Sequence, residues 1–299
     1  MKKLPITIIM LTINEEYYLP GAIENVKPWA EDIFILDSLS NDRTIDIALE
    51  QGINIVQRPF TNFGDQWNFA LKCLPIKSPW IMKLDPDERV TAKLVEEMGC
   101  VTQLERPCNG YYIPRRLWFM GKPLHVCFDV LRLWKTGEGR FSDVLVNEHP
   151  IINGTVGRLK GIIDHYDSPN LHHWLEKQNR YSTMEAIMVV KDDAFPVEPK
   201  FFGNTLQRRM FFKKVFSKIP FRFLLLYLYY LLYCGLWRDG RLGSSWAHLR
   251  SEVMRNRELK AREMELTGEI AKIPKAAHGH FDPRIISTSL QKRILSDSR

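Results

Sequence analysis

Trp80-Ile81-Met82-Lys83-Leu84 runs without a linker into Asp85-Pro86-Asp87-Glu88. The apolar stretch has strand length, and it stops at three carboxylates within four residues. Carboxylates this close repel one another. A hard divalent cation, Mg²⁺ or Mn²⁺, relieves the repulsion and keeps coordination positions open for phosphate. Taken alone, these residues also read as an acidic turn closing a strand. A second acidic turn favours the cation: Asp37-Ser38-Leu39-Ser40-Asn41-Asp42-Arg43-Thr44 follows another apolar run and leads into a helical pattern.

Working outward, residues 1–90 alternate strand and helix. Ile6 to Ile13, Ile33 to Leu36 and Ile53 to Val56 are short β-rich runs. Between them Tyr18, Ala22 and Val26 recur at helical spacing, and Ile45, Ala48 and Leu49 define a second helix with Ser40 as its expected N-cap and Gly52 at its C′ position. A helix around Gln66 to Leu74 precedes the strand ending at Leu84. Strands alternating with helices predict a parallel α/β sheet with ligands bound outside the carboxyl ends of the strands, where both acidic turns fall. A helix bearing Leu94, Val95 and Met98 follows, then short strands at 110–113, 130–134 and 155–163, and a longer helix over 171–190.

The chain has 299 residues and a net charge of +7. From Pro199 to Arg238 there are eight Lys or Arg and no Asp or Glu, so the remainder sums to −1. The basic character is local and points to a partner at one surface. Phe223 to Trp237 then provides fifteen residues without a charge, against the roughly 20 a membrane-spanning helix needs. The run reads as an interfacial or re-entrant helix on an anionic membrane surface, or as a buried core helix. Nucleic acid is not expected, because there is no continuous charge track. Glu252 to Glu265 reads as a solvated charged helix. The expected division is a catalytic α/β domain over 1–198 and a helical C-terminal region over 199–299. Five widely spaced cysteines without a CxxC pair fit a reducing compartment, and Leu4 to Ile13 reads as a buried strand, not a cleaved leader.

The residues themselves outline a pocket. Asp37 at a strand end can accept hydrogen bonds from a base or ribose. The turn Asn62 to Asn68, with Gln66, Trp67 and Asn68, is polar with one aromatic and suits the lining of a donor sugar. Asp85 and Asp87 stand at the neighbouring strand end.

Asn14-Glu15-Glu16, the Asp-x-x-Ser-x-Asp-x-Thr pattern at Asp37 to Thr44, and Asp85-Pro86-Asp87-Glu88 together resemble family 2 glycosyltransferases of the GT-A fold, a Rossmann-like α/β architecture. Phe141 to His149, Leu159 to His165, Glu176 to Tyr181 and Arg238 to Gly243 resemble the lipopolysaccharide-core glucosyltransferase branch, so the likeness spans most of residues 5–243. The chain departs from the pattern at Leu39 and Arg43, where the family usually or often has Gly, and at Asn147, where relatives carry His.

The resemblance implies an inverting, metal-dependent transfer of a hexose from a UDP-sugar to a lipid-linked saccharide. It implies that Asp37 holds the base, with Thr12 and Glu15 lining the same pocket. Asp85 would face ribose and metal, Asp87 would ligate Mg²⁺ or Mn²⁺, and His165 would add a further ligand. Glu148 would be the general base, and Arg180 would steady the diphosphate. Each has a plainer alternative: His165 as a structural histidine, Glu148 as a surface carboxylate, Arg180 as a helix-surface ion-pair partner. The expected location is the cytoplasmic face of the inner membrane, bound peripherally. Two other functions fit the same residues: glycosylation of a peptide or soluble saccharide, and non-catalytic nucleotide-sugar binding at a membrane.

Overall fold

The computed structural model describes residues 3–105, 107–141, 150–190, 201–202, 215–216 and 219–271. These fall into two compact units, one drawn from 3–118 and 127–167 and the other from 119–126 and 168–271. The domain boundary expected at 198/199 lies outside the described residues.

In the first unit, β1 (Leu4–Thr12), β2 (Ala30–Asp37), β3 (Asn54–Gln57) and β4 (Trp80–Lys83) are parallel neighbours in the order β3-β2-β1-β4. β1 alternates its faces as period-2 geometry requires. Ile6, Ile8 and Met10 pack with Leu19, Ile23 and Val26 of α1 (Leu19–Val26) and with Leu94 and Met98 of α4 (Ala92–Val101). Ile9 faces the opposite side, with Leu36, Ile81, and Trp67 and Ala70 of α3 (Phe63–Cys73). Helices therefore cover both faces of the sheet.

The all-parallel expectation stops at β4. Its next neighbour is β7 (Lys122–Lys135), which runs antiparallel to it, and the sheet continues through β6 (Gly110–Phe119), β11 (Ile163–His165) and β5 (Glu88–Val90), with β10 (Val156–Arg158) also on β6. The sheet is mixed because β6 and β7 are a hairpin: Met120 and Gly121, with φ of 49° and 74°, make the two-residue turn that matches strand twist. A small second sheet pairs β8 (Gly139–Phe141) with β9 (Pro150–Ile152).

α2 (Thr44–Glu50) begins four residues after Ser40, so Ser40 is not its cap. The Ser40 hydroxyl instead donates to Asp37 and accepts from the Asn14 N–H. Gly52 does take the left-handed C′ conformation, with φ of 67°.

The second unit contains α5 (Leu171–Val190), α6 (Arg222–Leu228), a π-helical turn (Tyr229–Tyr233), a 3₁₀ turn (Leu236–Asp239) and α7 (Gly240–Thr267). α5 and α7 pack through Ala186, Ile187, Ala261 and Met264. The stretch read as a solvated charged helix thus buries one side: Arg257 is 7% exposed and pairs with Glu185 at 3.2 Å. Along Phe223 to Trp237 the chain is neither buried throughout nor one helix. Tyr230 packs on Trp246 and Tyr227 meets Ser244, while Leu225, Leu232 and Tyr233 stay exposed. Among the described residues no helix is long and apolar enough to cross a membrane.

Candidate active site

Parallel order puts the carboxyl ends of β1, β2 and β4 side by side, so Thr12, Asp37 and the turn after Lys83 are neighbours. Asp37 is fully buried. Its Oδ1 accepts from the hydroxyls of Thr12 (2.8 Å) and Ser40 (2.5 Å), and its Oδ2 from the Ser40 N–H (2.8 Å) and Gln57 Nε2 (3.0 Å). Four donors on one carboxylate explain how a charge is tolerated at zero exposure. They also shape the following turn, in which Leu39 adopts the left-handed region at φ 63°, where the family pattern has Gly. Glu15 is buried beside this turn, its N–H donating to Thr44 Oγ1 at 2.7 Å.

The turn at 62–68 contributes differently from expectation. Asn62 caps α3, accepting from the Asp65 N–H at 2.7 Å. Gln66 is buried, donating to Ser38 Oγ and the Pro59 carbonyl, so it supports the floor beside Asp37. Both ends of the Asn68 amide engage the Phe141 backbone, tying α3 to β8. Trp67 is fully buried, stacked on Phe141 at 5.2 Å, with buried Lys83 over its ring at 4.8 Å; it belongs to the core and lines no sugar pocket.

The two aspartates of Asp85-Pro86-Asp87 have different surroundings. Asp85 Oδ2 accepts from Arg132 Nη2 at 2.6 Å, and the same nitrogen lies 2.6 Å from Glu88 Oε1. Burial alone would raise the Asp85 carboxyl, but Arg132 and Lys83 outweigh it and hold it at about 2. Asp87 Oδ2 lies 3.2 Å from His165 Nε2. The β5–β11 register explains the meeting: His165 pairs opposite Glu88, and the Tyr166 N–H donates to the Asp87 carbonyl. Asp167 joins them, with its Oδ1 4.0 Å from His165 Nε2. One ligand atom from each of Asp87, His165 and Asp167 falls within 4.8 Å of the others. Two carboxylate oxygens and an imidazole nitrogen are a donor set suited to Mn²⁺ and acceptable to Mg²⁺.

Asp167 and Arg132 were not singled out from the sequence, although both left a signal. His165 and Asp167 are two apart beyond a strand, hence on one face of extended chain. Arg132 interrupts the apolar Val130 to Trp134, and a buried Arg requires an acidic partner. Arg180 lies on α5 in the second unit and is 8% exposed, with the Glu176 carboxylate one turn earlier acting on it as a counter-charge. Glu148 lies outside the described residues.

Comparison with known proteins gives these observations a family. The model for glycosyl transferase family 2 matches residues 7–125. The lipopolysaccharide core biosynthesis glycosyltransferase LpsC of Rhizobium meliloti (strain 1021) is 30% identical over 252 residues, 81% of this chain and 86% of LpsC. An uncharacterized glycosyltransferase of Rickettsia typhi is 26% identical over 210 residues, 64% of this chain and 69% of the relative. Among solved structures, glucosyl-3-phosphoglycerate synthase from Mycobacterium tuberculosis, in complex with Mn²⁺, UDP and glucosyl-3-phosphoglycerate, aligns over 28% of this chain and 33% of its own, at 22% identity and a TM-score of 0.25. That overlap is too small to argue from. LpsC, by contrast, matches across most of both chains, and the family model runs from β1 through both acidic turns into the β6–β7 hairpin. The chain therefore belongs to glycosyl transferase family 2, and its α/β unit with a mixed sheet is a GT-A fold.

Proposed function

We propose that this glycosyltransferase moves a hexose, glucose from UDP-glucose in the first instance, onto a lipid-linked saccharide of the lipopolysaccharide-core kind, with inversion at the anomeric carbon. The observation that carries the reading is the Asp87–His165–Asp167 set, whose Asp87 lies in the turn that follows β4. The acceptor class rests on similarity to LpsC over most of its length.

In this reading Thr12, Glu15, Asp37 and Gln66 form the floor that receives the base, and Asp85 presents its carboxylate to the ribose. Asp87, His165 and Asp167 would hold Mg²⁺ or Mn²⁺, which when bound supplies positive charge to stabilise the departing diphosphate. Glu148 takes the proton from an acceptor hydroxyl as that oxygen attacks the anomeric carbon. Attack from the face opposite the diphosphate forms one C–O bond as the other breaks, and the configuration inverts.

The acceptor is met at a membrane. Phe221, Leu225, Leu232, Tyr233 and Trp237 are exposed within the segment that has no acidic residue. Aromatic and aliphatic side chains flanked by cations are the two-signal combination that binds anionic lipid reversibly. The protein then works peripherally on the cytoplasmic face of the inner membrane.

The test is release of nucleoside diphosphate from a panel of nucleotide sugars with Mn²⁺, comparing wild type with Asp87→Ala and Glu148→Gln. Turnover of UDP-glucose by wild type alone is expected. Turnover of another donor would move the sugar assignment, and absence of both turnover and binding across the panel would sink the reading.

A further inference from the structure

Asp85 is held from inside the sheet by a cation that belongs to the protein. Arg132 is 4% exposed and reaches from β7 with one nitrogen to both Asp85 and Glu88, each at 2.6 Å. Glu88, fully buried, also accepts from the Asp85 N–H at 3.0 Å and from Arg115 Nη1 at 3.4 Å. Two carboxylates and two guanidiniums therefore meet in one group of opposite charges. The Arg132 side chain is 5% exposed and the Asp85 side chain 35%, so the cation sits on the core side and the carboxylate opens outward. Asp87, two residues on, faces His165 and Asp167 instead.

We propose that Arg132 is a positioning residue for Asp85. It fixes one carboxylate oxygen so that the other faces the ribose of a nucleoside diphosphate, and it supplies the counter-charge that a cation would otherwise bring. The metal is thereby left to Asp87, His165 and Asp167. The inference rests on the nucleotide-sugar reading above and deepens it. A carboxylate pinned at one oxygen has less rotational freedom to lose when the donor binds, which is what support behind a binding group provides. Because Glu88 shares the same guanidinium nitrogen, the turn and strand β5 move as one piece with Asp85.

Two titrations on the full chain test this: UDP without metal, and Mn²⁺ without nucleotide. The variants are Arg132→Lys, Asp85→Asn, the pair Arg132→Met/Glu88→Gln, and that pair combined with Asp85→Asn. The pair removes a buried cation and a buried anion together, so folding is protected from an orphaned charge. Circular dichroism checks each variant for wild-type structure. The pair should weaken UDP about tenfold or more, the scale of one charge-assisted hydrogen bond. Mn²⁺ affinity should fall clearly less than UDP affinity, since neither substitution removes a ligand atom of Asp87, His165 or Asp167. Arg132→Lys should recover part of the UDP loss, and adding Asp85→Asn to the pair should cost nothing more. Unchanged UDP affinity in the pair, equal losses of UDP and Mn²⁺, or losses that multiply with Asp85→Asn would each overturn the proposal. Failure of wild type to bind UDP would instead bring down the donor reading on which it stands.

Discussion

Replacing Asp37 by Asn and by Ala should separate the charge of this carboxylate from the hydrogen bonds it holds. In the Asn variant the amide nitrogen can face the Thr12 and Ser40 hydroxyls, which rotate to accept, while the amide oxygen keeps the Ser40 N–H and Gln57 Nε2. All four contacts survive and only the charge is lost, a cost of about 1–2 kcal/mol. In the Ala variant the Thr12 hydroxyl, on a residue 2% exposed, has no access to water. That orphan alone costs about 1–3 kcal/mol. Ser40 is half-buried and regains water in part, and Gln57 is exposed and regains it freely, which brings the total to about 3–4 kcal/mol. The two variants should differ by about 2 kcal/mol, or roughly thirtyfold in the local opening equilibrium. Amide hydrogen exchange across β1 and β2 measures this directly, strand by strand within the first unit. The Ala variant should also weaken UDP more than the Asn variant, since a carboxylate at zero exposure reaches the base only through the turn and floor that it holds in place. Exchange as fast in the Asn variant as in the Ala variant, or an Ala cost below about 1 kcal/mol, would refute the four-donor argument.

Leu39→Gly should stabilise the first unit by about 0.5–1 kcal/mol, because a left-handed leucine at φ 63° carries strain that exceeds the extra chain entropy of glycine; an unchanged or lower melting temperature would count against this. Gly161→Ala should destabilise by about 2–3 kcal/mol, since the new methyl would lie 2.4 Å from Leu94 Cα and 2.8 Å from Leu94 N, backbone of α4 that cannot step aside; thermal unfolding reads it. Asp85 is held at about 2 in the folded chain, so its ionised form contributes stability above the unfolded carboxylate pKa that is lost as pH falls toward 2. With a side chain 35% exposed, screening reduces this to about 1 kcal/mol, and Asp85→Asn should flatten the acid limb of a stability–pH curve by that amount. Leu225→Glu with Leu232→Glu, at positions 49% and 60% exposed, should lower flotation with anionic vesicles while leaving α7 folded; flotation equal to wild type would argue against lipid contact through this face.

What could be read in advance follows from how far each signal has to travel along the chain. β1 through β4 and their helices were legible because each is a local apolar run closed by a local turn, and parallel order follows from alternation alone. The antiparallel entry of β7 was not, since nothing near Lys122–Lys135 says which strand it will join. Composition misled where one residue type serves two ends. Ser40 has the chemistry of a helix cap, yet a carboxylate three residues upstream takes its hydroxyl. Trp67 sits in a polar turn, yet helical geometry turns it into the core. The candidate metal set shows the same limit. Asp87 could be named from its turn, but its meeting with His165 depends on a three-residue strand pairing across 78 positions, and Asp167 is drawn in only because it follows His165 in extended chain. A carboxylate turn is thus readable as a site before its partners are. The partner that separates Asp85 from Asp87 is the least visible from sequence, because an arginine within an apolar strand announces that it needs an anion without saying which one.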